Sequence, residues 1–119
     1  MSASVRRTEQ VAESVRQVVS EALLNEVRDP RIGRVTVTGV QVTNDLSWAV
    51  VQVSVMGEDQ DKQRTLEGLA SAAGFLRTRL GKTLSTRTVP EIRFELDRGL
   101  EHAARINAVL ADLKREDPA

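Results

Sequence analysis

Apolar residues near the start of the chain recur at helical spacing. Val11, Val15, Val18 and Ala22 fall at i, i+4, i+7 and i+11, and Ala12, Val19 and Leu23 widen the stripe. That pattern predicts an amphipathic helix with one buried face. Asp29-Pro30 ends it, because a proline ring disfavours helical backbone at the residue before it. From there the period changes to two. In RVTVTGVQVT, Val35 and Val37 share one parity, Val40 and Val42 have the other, and the slip falls at Thr38-Gly39. A β-bulge at Gly39 returns all four valines to one face. Asn44-Asp45 supplies turn chemistry, and SWAVVQVSVM then alternates with Ala49, Val51, Val53 and Val55 inward. A hairpin over residues 34 to 56 is the expectation.

Gly57 closes the second strand, and Glu58, Asp59 and Asp61 sit where negative charge favours a helix start. The following helix is expected to bury Leu66, Leu69, Ala70 and Ala73. Within it, SAAGFLRTRLG at residues 71 to 81 places Gly74 in mid-helix. On an unbroken helix turning ~100° per residue, Phe75 points ~140° from the centre of the apolar stripe. A break at Gly74 lets Phe75, Leu76 and Leu80 all reach apolar surroundings, and repays glycine's cost of about 1 kcal/mol relative to alanine. The alternative is a straight helix lying close to the sheet at Gly74. The break is the expectation.

Gly81 and TLSTRTVPE close this helix pair, IRFEL reads as a third strand with Ile92, Phe94 and Leu96 on one face, and Ala103, Ile106, Leu110 and Leu113 mark a closing helix. The order is α-β-β-α-α-β-α, an α+β domain with a three-stranded sheet covered by helices. It spans residues 1 to 113, with 114 to 119 as a short polar tail.

Composition narrows the function. The 119 residues are 40% hydrophobic and 29% charged, an ordinary globular balance with material for one core. No apolar run is long enough to span a bilayer, and MSASVRRTEQ lacks the apolar region of a signal peptide. Without cysteine, disulfides and thiolate metal sites are excluded, and a cytoplasmic location is permitted. Seventeen basic and 17 acidic residues cancel, so any binding of nucleic acid must arise from segregated charge. No Walker loop, Gly-x-Gly-x-x-Gly or nucleophile–base spacing is present. His102, the one histidine, lacks the further ligands or partners that a metal site or catalysis requires and reads as a surface or packing residue. Trp48 has outward parity and reads as packing against a helix or partner rather than as a base-stacking group. With Phe75 and Phe94 as the other aromatics, the strands lack the platforms of an RNA-recognition motif. No active site, cofactor or metal is expected.

The predicted order matches the bacterial type (type II) of K-homology fold, whose core is α-β-β-α-α-β. Five stretches, Asp29-Pro30-Arg31-Ile32-Gly33, Asn44-Asp45-Leu46-Ser47, Val53-Ser54-Val55-Met56-Gly57, Gly74-Phe75-Leu76-Arg77 and Arg105-Ile106, are spread from about Val5 to Leu113. By their order and spacing the chain more closely resembles the ribosome-binding factor A family. Ordinary K-homology domains clamp nucleic acid with a Gly-x-x-Gly loop between their central helices, whereas no two of the seven glycines here are three apart. The family replaces that loop with an Ala-x-Gly kink, which Ala72-Ala73-Gly74 matches. The resemblance implies a cytoplasmic factor that docks on the immature small ribosomal subunit, contacts rRNA near the decoding region and assists maturation of the rRNA 5′ end, above all in the cold. It implies no enzyme activity and no membrane. The expected state is a monomer, with other assembly factors as candidate partners. Some members carry a longer basic C-terminal extension, whereas this sequence reads LKREDPA there, which puts functions that depend on such a tail in doubt.

Charge then suggests where RNA would lie. Ser71 to Pro90 holds four basic residues, Arg77, Arg79, Lys82 and Arg87, and no acidic one, whereas Glu58, Asp59, Asp61 and Glu67 crowd the start of the same region. Arg28, Arg31 and Arg34 flank the Asp-Pro turn, and Arg6 and Arg7 open the first helix. These nine are the candidate phosphate contacts, with Arg77, Arg79 and Lys82 foremost. A protein-interaction module whose basic face meets an acidic partner without RNA is the alternative.

Overall fold

The computed structural model describes residues 3–85, 87–99 and 102–116, with side chains described for 6–85, 87–99 and 106–113. Six elements follow in order: α1 (Ala3–Asn25), β1 (Val35–Val42), β2 (Trp48–Val55), α2 (Asp59–Thr83), β3 (Glu91–Leu96) and α3 (His102–Glu116). The strands lie in the order β1-β2-β3. β1 and β2 are the antiparallel hairpin, and β3 pairs parallel to β2, an arrangement that needs a long crossover such as α2.

The hairpin bears out the parity argument. Its register shifts between Val37 and Gly39, and Val35, Val37, Val40 and Val42 all pack against the same core. A Cβ at Gly39 would collide with the Gln52 side chain, so glycine at the bulge answers to a close approach. The turn is held by Asp45, whose Oδ1 accepts hydrogen bonds from Ser47 N (3.1 Å), Ser47 Oγ (2.7 Å) and Thr43 Oγ1 (2.8 Å). These bonds set Leu46 at φ 63, a left-handed conformation that costs a side-chain-bearing residue roughly 1–2 kcal/mol. Burial of the Leu46 side chain in the core offsets that cost.

Two helices cover one face of the sheet. Val11, Val15, Val19 and Ala22 of α1 and Leu69, Leu76 and Leu80 of α2 enclose Ala49, Val51, Val53, Val55 and Ile92 in one cluster. The α1 stripe runs through Val19 instead of Val18, which is half-buried. The helix ends at Asn25, before Asp29-Pro30, with Glu26 N and Val27 N both donating to Ala22 O at 2.8 Å. α3 lies on the opposite face, where Ile106, Val109 and Leu113 bury Val50. The alternation in β2 predicted a single buried face, but its central position between β1 and β3 and the cover of α3 bury both. Trp48 and Leu110 pack beside this second cluster, so Trp48 is a packing residue, as its sequence context suggested. The side chains of His102, Ala103 and Arg105 lie outside the described residues.

The central helices require a correction. Residues 59 to 83 form one continuous α-helix with no interruption at Gly74. Thr65, Leu69, Ala72, Leu76 and Leu80 make a single stripe at spacings of three and four, and all of them are buried or half-buried. Leu76 and Leu80 therefore reach the core without being re-aimed. Ala70, expected inside, is exposed, and Phe75 remains 46% exposed. The close-approach alternative fails as well, because a Cβ built on Gly74 meets nothing within 4 Å. The helix start behaves as expected. Glu58 N donates to Asp61 Oδ2 at 3.0 Å, and Gly57 at φ +119 leaves room for the Asp61 side chain.

Candidate nucleic-acid interface

The outward face of α2 is built by its neighbours on both sides. On one side runs the loop Asp29-Pro30-Arg31-Ile32-Gly33. Asp29 accepts from Arg31 N (2.9 Å), Arg31 Nε (3.1 Å) and Arg31 Nη2 (2.7 Å), a bidentate ion pair closed by a backbone bond. The guanidinium hydrogen bonds hold the Asp29 carboxyl down at about 2 from its ordinary 3.8, and the same bonds raise Arg31. Arg31 Nη2 also donates to Ser71 Oγ at 3.1 Å. Below it, buried Thr65 accepts from Gly33 N and donates to Arg31 O, both at 3.3 Å, and Ile32 seats on Gly68. The motif thus works as a brace that fixes one arginine against the helix.

On the other side, Arg77 reaches the start of β3. Its Nε and Nη2 donate to Val89 O at 3.3 and 3.0 Å, and its Nη1 lies 3.8 Å from Glu91. Arg79 reaches back to the end of α1, where its Nη2 lies 2.8 Å from Glu26. The segment from Ser71 to Pro90 holds no acidic residue, so neither arginine meets a carboxylate from within it. Both meet one from outside it, because Glu91 lies one residue beyond that segment and Glu26 stands just after the last residue of α1. Lys82, Arg87, Arg28, Arg34, Arg6 and Arg7 are exposed, with no ion pair among the described residues.

The nine candidates do not form one patch. Arg31, Arg77, Arg79 and Lys82 are gathered on or beside α2, with Arg87 in the connection to β3. Arg6 and Arg7 stand at the far end of α1, about 27 Å from its last residue at 1.5 Å per residue. Arg34 lines a separate groove of about 530 Å³ between α1 and β1, with Arg16, Leu23 and Leu24. Ala72 and Ala73 are half-buried helix residues facing the core. Sequence reasoning missed Arg16, and it missed Gly68 and Thr65 as the seat of the Asp29–Gly33 loop. Gly68 was legible in principle, since glycine inside a helix often marks close packing. A second shallow groove, of about 430 Å³, runs between α2 and β3 and is lined by Leu66, Ala70, Ala73, Ile92 and Phe94 beside Trp48. Among the described residues, no three His, Cys, Asp or Glu side chains are grouped to hold a metal ion.

A three-stranded sheet with β3 parallel to β2, two helical segments on one face and a third on the other defines an α+β domain of the K-homology-like class. The chain belongs to the ribosome-binding factor A family, whose model matches residues 7–110. Ribosome-binding factor A from Gemmatimonas aurantiaca is 48% identical over 116 residues, covering 97% of this chain and 80% of the relative. That from Rhodopirellula baltica is 45% identical over 113 residues, covering 95% and 82%. The solution structure of a Thermotoga maritima ribosome-binding factor A superposes with a TM-score of 0.70 at 36% identity, over 80% of this chain and 91% of that one. A Thermus thermophilus ribosome-binding factor A, fitted into a cryo-EM map of its complex with the 30S subunit, shares the fold at TM-score 0.56 and 22% identity, over 78% and 93%.

Proposed function

We propose that this chain is a small-subunit assembly factor. It binds the immature 30S particle through rRNA and assists late maturation, including processing of the 5′ end of small-subunit rRNA. It acts by binding, without catalysis of its own, as a cytoplasmic monomer needed most in the cold. The observation that carries this reading is membership of the ribosome-binding factor A family over residues 7–110, together with a family relative whose homology model was fitted into a cryo-EM map of a 30S complex. The geometry supports it. Cations are gathered along the outward face of α2 while Glu58, Asp59 and Asp61 stand at the helix start. Phosphates would meet fixed guanidinium groups at Arg31 and Arg79 and, at Lys82 and Arg87, exposed charges with no ion pair among the described residues. No helix among the described residues is long and apolar enough to cross a membrane.

One observation favours the second reading, an acidic protein partner without RNA. Arg31, Arg77 and Arg79 already face carboxylates, so the surface meets acidic side chains readily. Sedimentation separates the two. The tagged protein is expected to run with immature 30S particles, to be stripped off by high salt, and to lose its binding when the rRNA is digested. Undiminished affinity for rRNA-digested particles supports the protein partner instead.

A further inference from the structure

Three aromatic side chains occur in this protein, and two of them pack into clusters, Phe94 on the α1–α2 side and Trp48 beside α3. The third, Phe75, lies 46% exposed on the outward face of α2. Its neighbours four residues away along the helix are polar. Ser71, Phe75 and Arg79 stand at i, i+4 and i+8, one row along the helix surface. Ser71 carries the Arg31 guanidinium on its hydroxyl at 3.1 Å, and Arg79 supplies its own. The residue that holds one guanidinium therefore stands a turn before Phe75 and the residue that carries the other a turn after it, and the two backbone positions are about 12 Å apart along the axis at 1.5 Å per residue.

Both guanidinium groups are held in place yet remain open. Asp29 fixes Arg31 and Glu26 fixes Arg79, at 2.7 and 2.8 Å, while the arginine side chains stay 38% and 43% exposed. A guanidinium carries five N–H donors. Arg31 uses Nε and Nη2, and Arg79 uses Nη2 alone among the described contacts. Each retains donors for an oxyanion, and each has already lost the side-chain freedom that binding would otherwise cost. Acidic Glu67, one turn before Ser71, bounds the row on one side, and exposed Lys82 continues it on the other.

We propose that Phe75 is a stacking platform for one unpaired base of rRNA, with Arg31 and Arg79 taking the phosphates on either side of that nucleotide. An exposed aromatic ring between anchored cations suits a splayed-out base, whose face needs a flat apolar surface and whose backbone needs positive charge. Charge and hydroxyl groups flank the ring along its row, Ser71 on one side and Arg79 on the other. The site is distinct from the groove between α2 and β3. This inference rests on the reading that the partner is rRNA.

The test compares Phe75→Ala, Phe75→Leu and Phe75→Trp with the parent for affinity to immature 30S particles at several salt concentrations. Melting temperatures of Phe75→Leu and Phe75→Trp should stay close to the parent, since both keep a large apolar side chain over the half of the surface that is covered. Phe75→Ala and Phe75→Leu are each expected to weaken binding roughly ten- to a hundredfold, the loss of one stacked base, while Phe75→Trp binds as tightly as the parent or tighter. All three should keep the parental salt slope, whereas Arg79→Gln should flatten it by about 0.7 to 0.9. Parental affinity in Phe75→Leu overturns the proposal, because an aliphatic side chain satisfies a protein contact but offers no π-face. Salt-dependent binding by the parent with all three variants equal to it overturns stacking alone and leaves the assembly-factor reading standing. A parent that fails to bind the particles overturns both.

Discussion

Ile32 occupies the space that a side chain at Gly68 would need: a Cβ built there falls 2.7 Å from Ile32 Cγ1 and 3.3 Å from Arg31 Cβ. The contact joins a loop after α1 to the middle of α2, and it positions Arg31 over Ser71. Gly68→Ala must push the loop outward. We expect a loss of about 1–3 kcal/mol, the usual cost of overpacking a filled site, read from urea unfolding. The double variant Gly68→Ala/Ile32→Ala should recover part of what the two single changes lose, since they share one space. Strict additivity would show that the contact is not the constraint.

Gly74→Ala should have the opposite sign. The residue is helical, solvent-facing and without neighbours at its missing Cβ. Alanine removes unfolded-chain entropy without strain, which is worth about 0.4–1 kcal/mol. A destabilised variant would mean that the backbone at Gly74 departs from ordinary helical geometry.

The Asp29–Arg31 pair makes a pH prediction. The folded carboxyl titrates near 2, below its ordinary 3.8, so the unfolded chain binds more protons between those values and stability rises with pH there. The contribution is fully present above about pH 4 and is lost as pH falls toward 2. In Asp29→Asn this segment of the stability profile should flatten, measured as urea midpoints from pH 2 to 5. An unchanged acid limb in Asp29→Asn would assign it to other carboxylates.

The basic residues of the Ser71–Pro90 segment should divide into two kinds. Lys82 and Arg87 have no internal partner among the described residues, so Lys82→Gln/Arg87→Gln should leave melting unchanged. It should also flatten the slope of log affinity against log salt by about 1.4 to 1.8. Arg77 donates twice to Val89 O, and Arg77→Gln should cost on the order of 1 kcal/mol of stability. A double variant with the parental slope would move the phosphate contacts to Arg31 and Arg79, or to Arg28 and Arg34.

What the sequence determined by itself was local and periodic. The parity slip at Thr38-Gly39 announced the bulge, because a strand's side chains alternate whatever lies above them. The acids after Gly57 announced the start of α2, because the unpaired N–H groups of a first turn act within a few residues. Tertiary structure decided everything that depended on a second segment arriving from afar. Val50 is buried because α3 crosses the other face of β2, and no pattern within β2 encodes that cover. Gly74 sits in an unbroken helix because the stripe through Leu69, Leu76 and Leu80 already meets the sheet, which leaves Phe75 outside. Arg79 is paired because the end of α1 brings Glu26 to within 2.8 Å of it. A charge window counted along the chain measures separation in sequence, and Coulomb attraction responds to separation in space.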